Sequence, residues 1–134
     1  MKKKAKLILL PAICAILIPV SAFAAEYKGI SLPAYSGNWT SPDKVKSTTD
    51  SYFSHASTKV AGDYNYVNVK QTSAVYLDPV TYGVKHREGD GSQNVYWHSS
   101  LSGSMAKGQK TNLIVENADF TYVKVEADGT YDLR

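Results

Sequence analysis

Three histidines, His55, His86 and His98, are the side chains here best suited to hold a metal or move a proton. Their spacing argues against a shared metal. His55 lies far from the other two in sequence. His86 and His98 fall on either side of Gly89-Asp90-Gly91-Ser92, a strong turn signal. Pairing across that turn sets Val84 against Trp97, Tyr82 against Ser99 and His86 against Val95. The two histidines then point to opposite faces, and no His-x-His step or carboxylate cluster supplies further ligands. We expect no metal and no other cofactor, a half-buried, hydrogen-bonded His86, and a surface His98.

Nucleophilic chemistry fares no better. Ser104-Met105-Ala106-Lys107 matches the Ser-x-x-Lys motif of penicillin-recognising enzymes, and Ser92-Gln93-Asn94 and Lys110-Thr111 echo their other motifs. The order is wrong, Lys110-Thr111 runs on to Asn112 instead of Gly, and Ser41-Pro42-Asp43-Lys44 fits the same pattern by chance. There is no Gly-x-Ser-x-Gly elbow. Asp90-Gly91-Ser92-Gln93-Asn94 spaces oxygen ligands like a calcium loop but lacks the closing acid, because Val95-Tyr96-Trp97 follows. Glu88 and Asp90 are too close in sequence to be argued into an acid/base pair. A non-enzymatic protein is the expectation.

Aromatic side chains remain. The chain has ten tyrosines, with Trp39 and Trp97, and such rings serve interfaces because one end is apolar and the other hydrogen-bonds. Most should fill a core that is poor in leucine. Trp39, in Ser36-Gly37-Asn38-Trp39-Thr40, is the aromatic expected to be exposed. On the solvated face of the turn at Gly89, Lys85 opposes Tyr96 and Arg87 opposes Asn94. The candidates for partner or glycan contact are Trp39, Tyr35, Tyr96, Lys85 and Arg87.

The elements that must position these residues begin after a leader. Met1-Lys2-Lys3-Lys4-Ala5-Lys6 is cationic, Leu7 to Val20 is apolar, and Ser21-Ala22-Phe23-Ala24 offers small residues for cleavage before Ala25. This reads as a Sec-type secretory signal peptide over residues 1–24, ahead of a single domain over 25–134. The lysine-rich start and compact layout point to a bacterial, extracellular protein. Four of the 15 basic residues lie in the leader and none of the 12 acidic ones does, so the mature chain carries net charge −1, from 11 basic and 12 acidic groups. That removes the charge argument for nucleic acid. Cys14 leaves with the leader, so no disulfide forms and no cysteine nucleophile exists. Cys14 follows Ile13 in mid-run, which disfavours a lipid anchor. The apolar run is too short to span a membrane, and no later segment is apolar enough. The expected partner is a cell-envelope component or another protein.

Tyr, Ser, Thr, Asn, Val and Gly dominate the mature chain, a mix suited to pleated strands and turns. The pattern predicts an all-β fold, a small antiparallel β-sandwich. Its strands are expected at Tyr64–Lys70, Ser73–Leu77, Thr81–Arg87, Asn94–Ser100, Asn112–Glu116, Phe120–Glu126 and Thr130–Leu133. Ser41-Pro42-Asp43 has the form of a helix start, but Lys44 to Lys59 lacks a helical stripe and reads as irregular strand. A second hairpin is expected at Ala127-Asp128-Gly129. A three-residue loop there sets Val125 against Tyr131, Val123 against Leu133 and Lys124 against Asp132.

Three segments carry a resemblance: Leu32-Pro33-Ala34-Tyr35-Ser36-Gly37-Asn38, Thr111-Asn112-Leu113-Ile114-Val115-Glu116-Asn117, and Gly129-Thr130-Tyr131-Asp132. With the leader and the tyrosine-rich C-terminal part, this layout resembles a loose group of small secreted bacterial proteins of unknown function found among bacteriocin-type export genes. In that group the chain usually ends in a Gly-Tyr-Trp-like step; here Thr130 intervenes and no Trp follows. The resemblance implies a secreted bacteriocin-like or envelope-interacting protein that acts by surface binding. A carbohydrate- or peptidoglycan-binding module and a small secreted hydrolase or inhibitor are the alternative expectations.

Overall fold

The computed structural model describes residues 24–61, 66–73, 79–99, 108–117 and 122–134. Residues 1–23 of the expected leader over 1–24, the Ser104–Lys107 motif and the expected strand beyond Ser73 lie outside the described residues. The described chain is predominantly strand: β1 (Ala25–Leu32), β2 (Asn38–Thr40), β3 (Lys44–Val45), β4 (Tyr52–Ala61), β5 (Tyr66–Ser73), β6 (Val84–Arg87), β7 (Gln93–Tyr96), β8 (Lys110–Asn117) and β9 (Val125–Asp132). They form two antiparallel sheets. One runs β1-β9-β4-β7; the other runs β2-β8-β5-β6, with β3 also on β8.

Period-two alternation builds both sheets. On β8, Thr111, Leu113, Val115 and Asn117 are buried while the residues between them are half-exposed. On β4, Phe53, His55 and Ser57 are buried. Strands from both sheets supply one apolar cluster, including Leu32, Phe53 and Val125 from the first and Val67, Val69, Leu113 and Val115 from the second. Their burial drives folding, at ~1.5–3 kcal/mol for a fully buried large aliphatic or Phe side chain.

The Lys44 to Lys59 stretch resolves into β3, a short irregular passage, and β4. β2 and β3 share one edge of β8 and are separated at Ser41-Pro42-Asp43. Pro42 has no N–H to donate, so a break there costs the ladder little. Ser41 bridges the gap: its N–H donates to Leu113 O at 2.8 Å and its Oγ accepts from Leu113 N at 2.9 Å.

Neither expected hairpin forms. β6 pairs with β5, placing His86 opposite Val67 and Val84 opposite Val69, whereas β7 pairs with β4 in the other sheet, placing Val95 opposite Phe53. Backbone pairing between the two segments is limited to a Thr81–Trp97 bridge. A turn does occur, over Arg87–Asp90, with Gly89 at φ 78° and Asp90 N donating to Arg87 O at 3.1 Å. It carries the chain from one sheet to the other. Both segments have a buried face, and sending them to different sheets buries His86 on one side and Val95 and Trp97 on the other.

At Asp128-Gly129 the chain runs straight on as the middle of β9, between β1 and β4. Two neighbours satisfy its backbone on both sides, which outweighs a local turn preference. The irregularity moves to the neighbours: both ladders shift register beside Asp128, between Tyr27 and Ile30 on β1 and between Ser57 and Lys59 on β4. Asp128 Oδ1 accepts from Gly29 N at 2.7 Å, and Gly29 takes φ 57° there.

Candidate functional site: an exposed tyrosine pair and a buried histidine pair

The β1–β2 loop holds the most unusual backbone. Tyr35 and Ser36 both lie in the left-handed region, at φ 58° and 59°. Such conformations cost a non-glycine residue about 1–3 kcal/mol each and persist only where the surroundings enforce them. Asn117, fully buried at the end of β8, does so. Its backbone N–H donates to Gly37 O at 2.9 Å; its Nδ2 donates to Pro33 O at 2.9 Å and Val123 O at 3.0 Å. Gly37 must be glycine, because a Cβ would come within 2.6 Å of Pro33. One side chain thus ties the loop of Tyr35 to the segment of Tyr122. The two rings meet edge-to-face, centroids 5.5 Å apart and planes at 82°, and stay 69% and 79% exposed. This packing suits the ring quadrupoles, and it leaves both rings open to a ligand.

The other expected contact residues are scattered. Trp39 is not the exposed ring anticipated: it sits on β2, half-buried against the core, 5.4 Å from the Tyr27 ring. Tyr96 is exposed on β7 and packs on Tyr52 at 5.5 Å, with the Arg134 guanidinium 5.9 Å from the Tyr52 ring. Lys85 and Arg87 are exposed on β6 in the opposite sheet, so Lys85 does not face Tyr96; its Nζ lies 4.7 Å from the Tyr66 ring centroid. Tyr35 and Tyr122 stand near the start of β9, and Tyr52 and Arg134 near its end, roughly 25 Å apart for an eight-residue strand. His98 is half-exposed and packs edge-on against exposed Tyr82 at 3.7 Å.

A second arrangement lies inside. Tyr27 of β1, His55 of β4 and His86 of β6 form a chain of buried polar groups. Tyr27 Oη and His55 Nε2 are 2.9 Å apart, and His55 Nδ1 and His86 Nδ1 are 3.0 Å apart. All three are at most 4% exposed, so His86 is fully buried where half-burial was expected. The imidazole contact joins the two sheets. Neutral rings satisfy it, one Nδ1–H donating to the other's lone pair. His86 Nε2, at the chain's far end, is buried with no partner among the described residues. Burial, with His86 adding to it, drives the His55 pKa down to about 3. Burial also lowers His86, opposed by Asp90, and raises the Tyr27 phenol above its ordinary range, with Asp128 adding. At neutral pH the chain is uncharged. It can hold or relay a proton between neighbours, but its burial keeps it from substrate. No three metal-binding side chains gather among the described residues.

Sequence distance hid this pair, since the two histidines are joined only by the crossing of the sheets. One signal was present: alternation from Phe53 puts His55 on the buried face of β4. A further buried group ties the passage after β3 to the residue after β9. Lys46 Nζ donates to Asp50 O and, at 2.5 Å, to Arg134 O, and it lies 5.1 Å from the Trp97 ring. Trp97 Nε1 in turn donates to Gln71 Oε1 at 2.6 Å. Burial lowers the Lys46 pKa, opposed by Asp50.

Comparison of the chain with protein families, curated proteins and solved structures finds no match.

Proposed function

We propose that this protein is a secreted, non-enzymatic β-sandwich that binds a cell-envelope glycan through Tyr35 and Tyr122. The observation that carries this reading is the display itself. Backbone strain at two successive non-glycine residues, enforced by a buried asparagine, holds two aromatic rings in solvent where they bury little of themselves. Observed strain of this kind marks ligand-contact sites more than structural ones. Perpendicular rings offer a face and an edge to the apolar side of a sugar, and the phenol hydroxyls can bond its hydroxyls. The sandwich reading rests on two antiparallel sheets that share one core. Secretion rests on the leader, and β1 opens at Ala25, where cleavage would place the new N-terminus.

The test is retention of the exported, purified protein on insoluble bacterial cell wall and on isolated polysaccharide. Tyr35→Ala and Tyr122→Ala should each weaken binding about tenfold, equivalent to ~1.4 kcal/mol, with unfolding transitions preserved. Killing of neighbouring strains without wall retention would favour the bacteriocin-like reading. Turnover of a model substrate abolished by one polar substitution would favour an enzyme. Undiminished binding in both variants would overturn the site.

A further inference from the structure

The buried histidine pair plays no part in surface binding, yet it occupies a strategic joint. β6 is a four-residue edge strand whose single ladder partner among the described strands is β5. Three described contacts tie β6 and the turn after it to β4 in the opposite sheet. Gly89 N donates to Ser57 O at 2.9 Å, Val60 N donates to Glu88 Oε2 at 2.8 Å, and His86 meets His55 at 3.0 Å. The first two cover the part of β4 beyond the reach of β7, whose ladder spans only Tyr52–His55.

We propose that the His55–His86 contact is an acid-sensitive latch: proton uptake by the pair releases β6 and the Arg87–Asp90 turn from β4 while the remaining ladders stay closed. One added proton leaves a buried imidazolium. A second puts an N–H on both Nδ1 atoms, facing each other at 3.0 Å, and the contact no longer exists. The surroundings do little to shelter the charge. β1 contributes the neutral Tyr27 phenol. β9 contributes Tyr131, opposite His55, with Lys44 Nζ 5.5 Å from its ring, and Asp128, which acts on Tyr27. β7 places uncharged Gln93 opposite His55, and β5 places Val67 opposite His86. Asp90, the acid that acts on His86, and Glu88 are in the turn that would leave: Glu88 bonds Val60 N, and Asp90 Oδ2 accepts from Arg87 N at 2.8 Å. Release would bare the β4 backbone at Ser57 and Val60, an open strand edge absent at neutral pH.

Native-state hydrogen exchange on the full chain, followed by NMR from pH 7.5 to 5, tests the latch. Protection factors, which correct for the intrinsic pH dependence of exchange, should fall for the Gly89 and Val60 amides below the ordinary imidazole range. One linked proton gives tenfold per pH unit, and two give up to a hundredfold. Val115 on β8 and Ala127 on β9 share the downward slope, because the unfolded chain takes up the same protons, but should stay better protected than Gly89 and Val60 at every pH. His86→Gln, which retains a hydrogen-bonding group, should abolish the slope; Glu88→Gln should leave it intact. Flat protection at Gly89 and Val60, protection there no lower than at Val115 and Ala127, or a slope that survives His86→Gln or vanishes in Glu88→Gln would each overturn the proposal. If His86→Gln does not fold, the imidazole ¹⁵N titration of the unaltered protein decides. Protonation of either ring without loss of protection at Gly89 overturns the latch; protonation concurrent with that loss upholds it.

Discussion

Replacing Gly129 by Ala should destabilise this protein far more than a methyl group ordinarily would. Gly129 sits mid-strand in β9, opposite Tyr27 on one side and Ser57 on the other. The Tyr27 ring lies over it, so a Cβ would come within 2.5 Å of Tyr27 Oη, 2.6 Å of Tyr27 Cζ and 2.6 Å of Ala56 O. Ala56 O is backbone in the middle of a sheet and cannot withdraw. Tyr27 is 4% exposed and cannot swing out without leaving His55 Nε2. Overpacking costs ~1–3 kcal/mol. Stranding the buried imidazole nitrogen costs another ~1–3. Reduced freedom of the unfolded chain returns about 0.4–1. The net is a loss of roughly 2–4 kcal/mol, a large fraction of a typical stability of ~5–15. At this chain length it should lower the Tm by about 8–20 °C. Urea unfolding of Gly129→Ala, Tyr27→Phe and the double variant separates the contributions. Phe removes Oη and the bond to His55, so Gly129→Ala should cost about 1–2 kcal/mol less in that background. A Gly129→Ala cost below about 0.5 kcal/mol, the usual scale of a harmless substitution, would refute the packing argument. A penalty unchanged in the Tyr27→Phe background would refute the role given to Tyr27.

Global stability should fall in acid. His55 is held well below its ordinary value, so the unfolded chain binds more protons between about 3 and 6.5, and stability present above 6.5 is lost as pH drops through that window. Denaturant midpoints from pH 7.5 to 4 measure the loss, and a His55→Gln variant of unchanged slope would assign the effect elsewhere. Tyr35→Gly should gain stability, about 1 kcal/mol, by relieving the left-handed backbone while weakening glycan retention; a loss of stability in thermal melts would deny the strain. Deleting Tyr131–Arg134 should destabilise the fold, since it removes buried Tyr131 and Leu133 and the Arg134 carbonyl that receives Lys46; an unchanged melting temperature would count against this.

What was legible in the sequence was whatever depends on one strand at a time. Alternation placed β8 within a residue or two, because Leu113 and Val115 can only face inward if their neighbours face out. The β-character of the chain followed from composition. What failed depended on which strands meet. Asp90-Gly91 and Asp128-Gly129 both carry hairpin chemistry, and neither makes a hairpin. In β9, burying Val125, Ala127 and Tyr131 between two ladder partners outweighs a turn preference worth about a kilocalorie or less. After β6, the same kind of turn forms one step early, around Gly89, because the chain must change sheets. Trp39 is half-buried for a related reason. Its neighbours Gly37 and Asn38 suggest a loop, but β8 offers an open edge on which Asn38–Thr40 can pair. The Tyr35 display was half visible: the residue could be named, but its strained backbone and its partner Tyr122 required the buried Asn117.

Some of the polar groups in the core join elements that no ladder joins, and their placement argues for a division of labour. Ladders β1-β9-β4 and β8-β5 carry the apolar burial. Three sets of buried polar side chains stand at joints between them: His55 with His86 across the sheets, Asn117 at the β1–β2 loop, and Gln71 with Trp97 beside Lys46. Each joint also leaves one buried atom without a partner among the described residues: His86 Nε2, Asn117 Oδ1 and Gln71 Nε2. Ser57 Oγ on β4 and Thr111 Oγ1 on β8 are unmet too, but their strands are also held by backbone ladders, whereas a joint with an unmet polar atom has fewer bonds to replace it. Opening should therefore begin at the joints, one at a time, with the ladders intact. The His55–His86 latch requires that property, because a fold that opened only as a whole would turn proton uptake into denaturation instead of a local release.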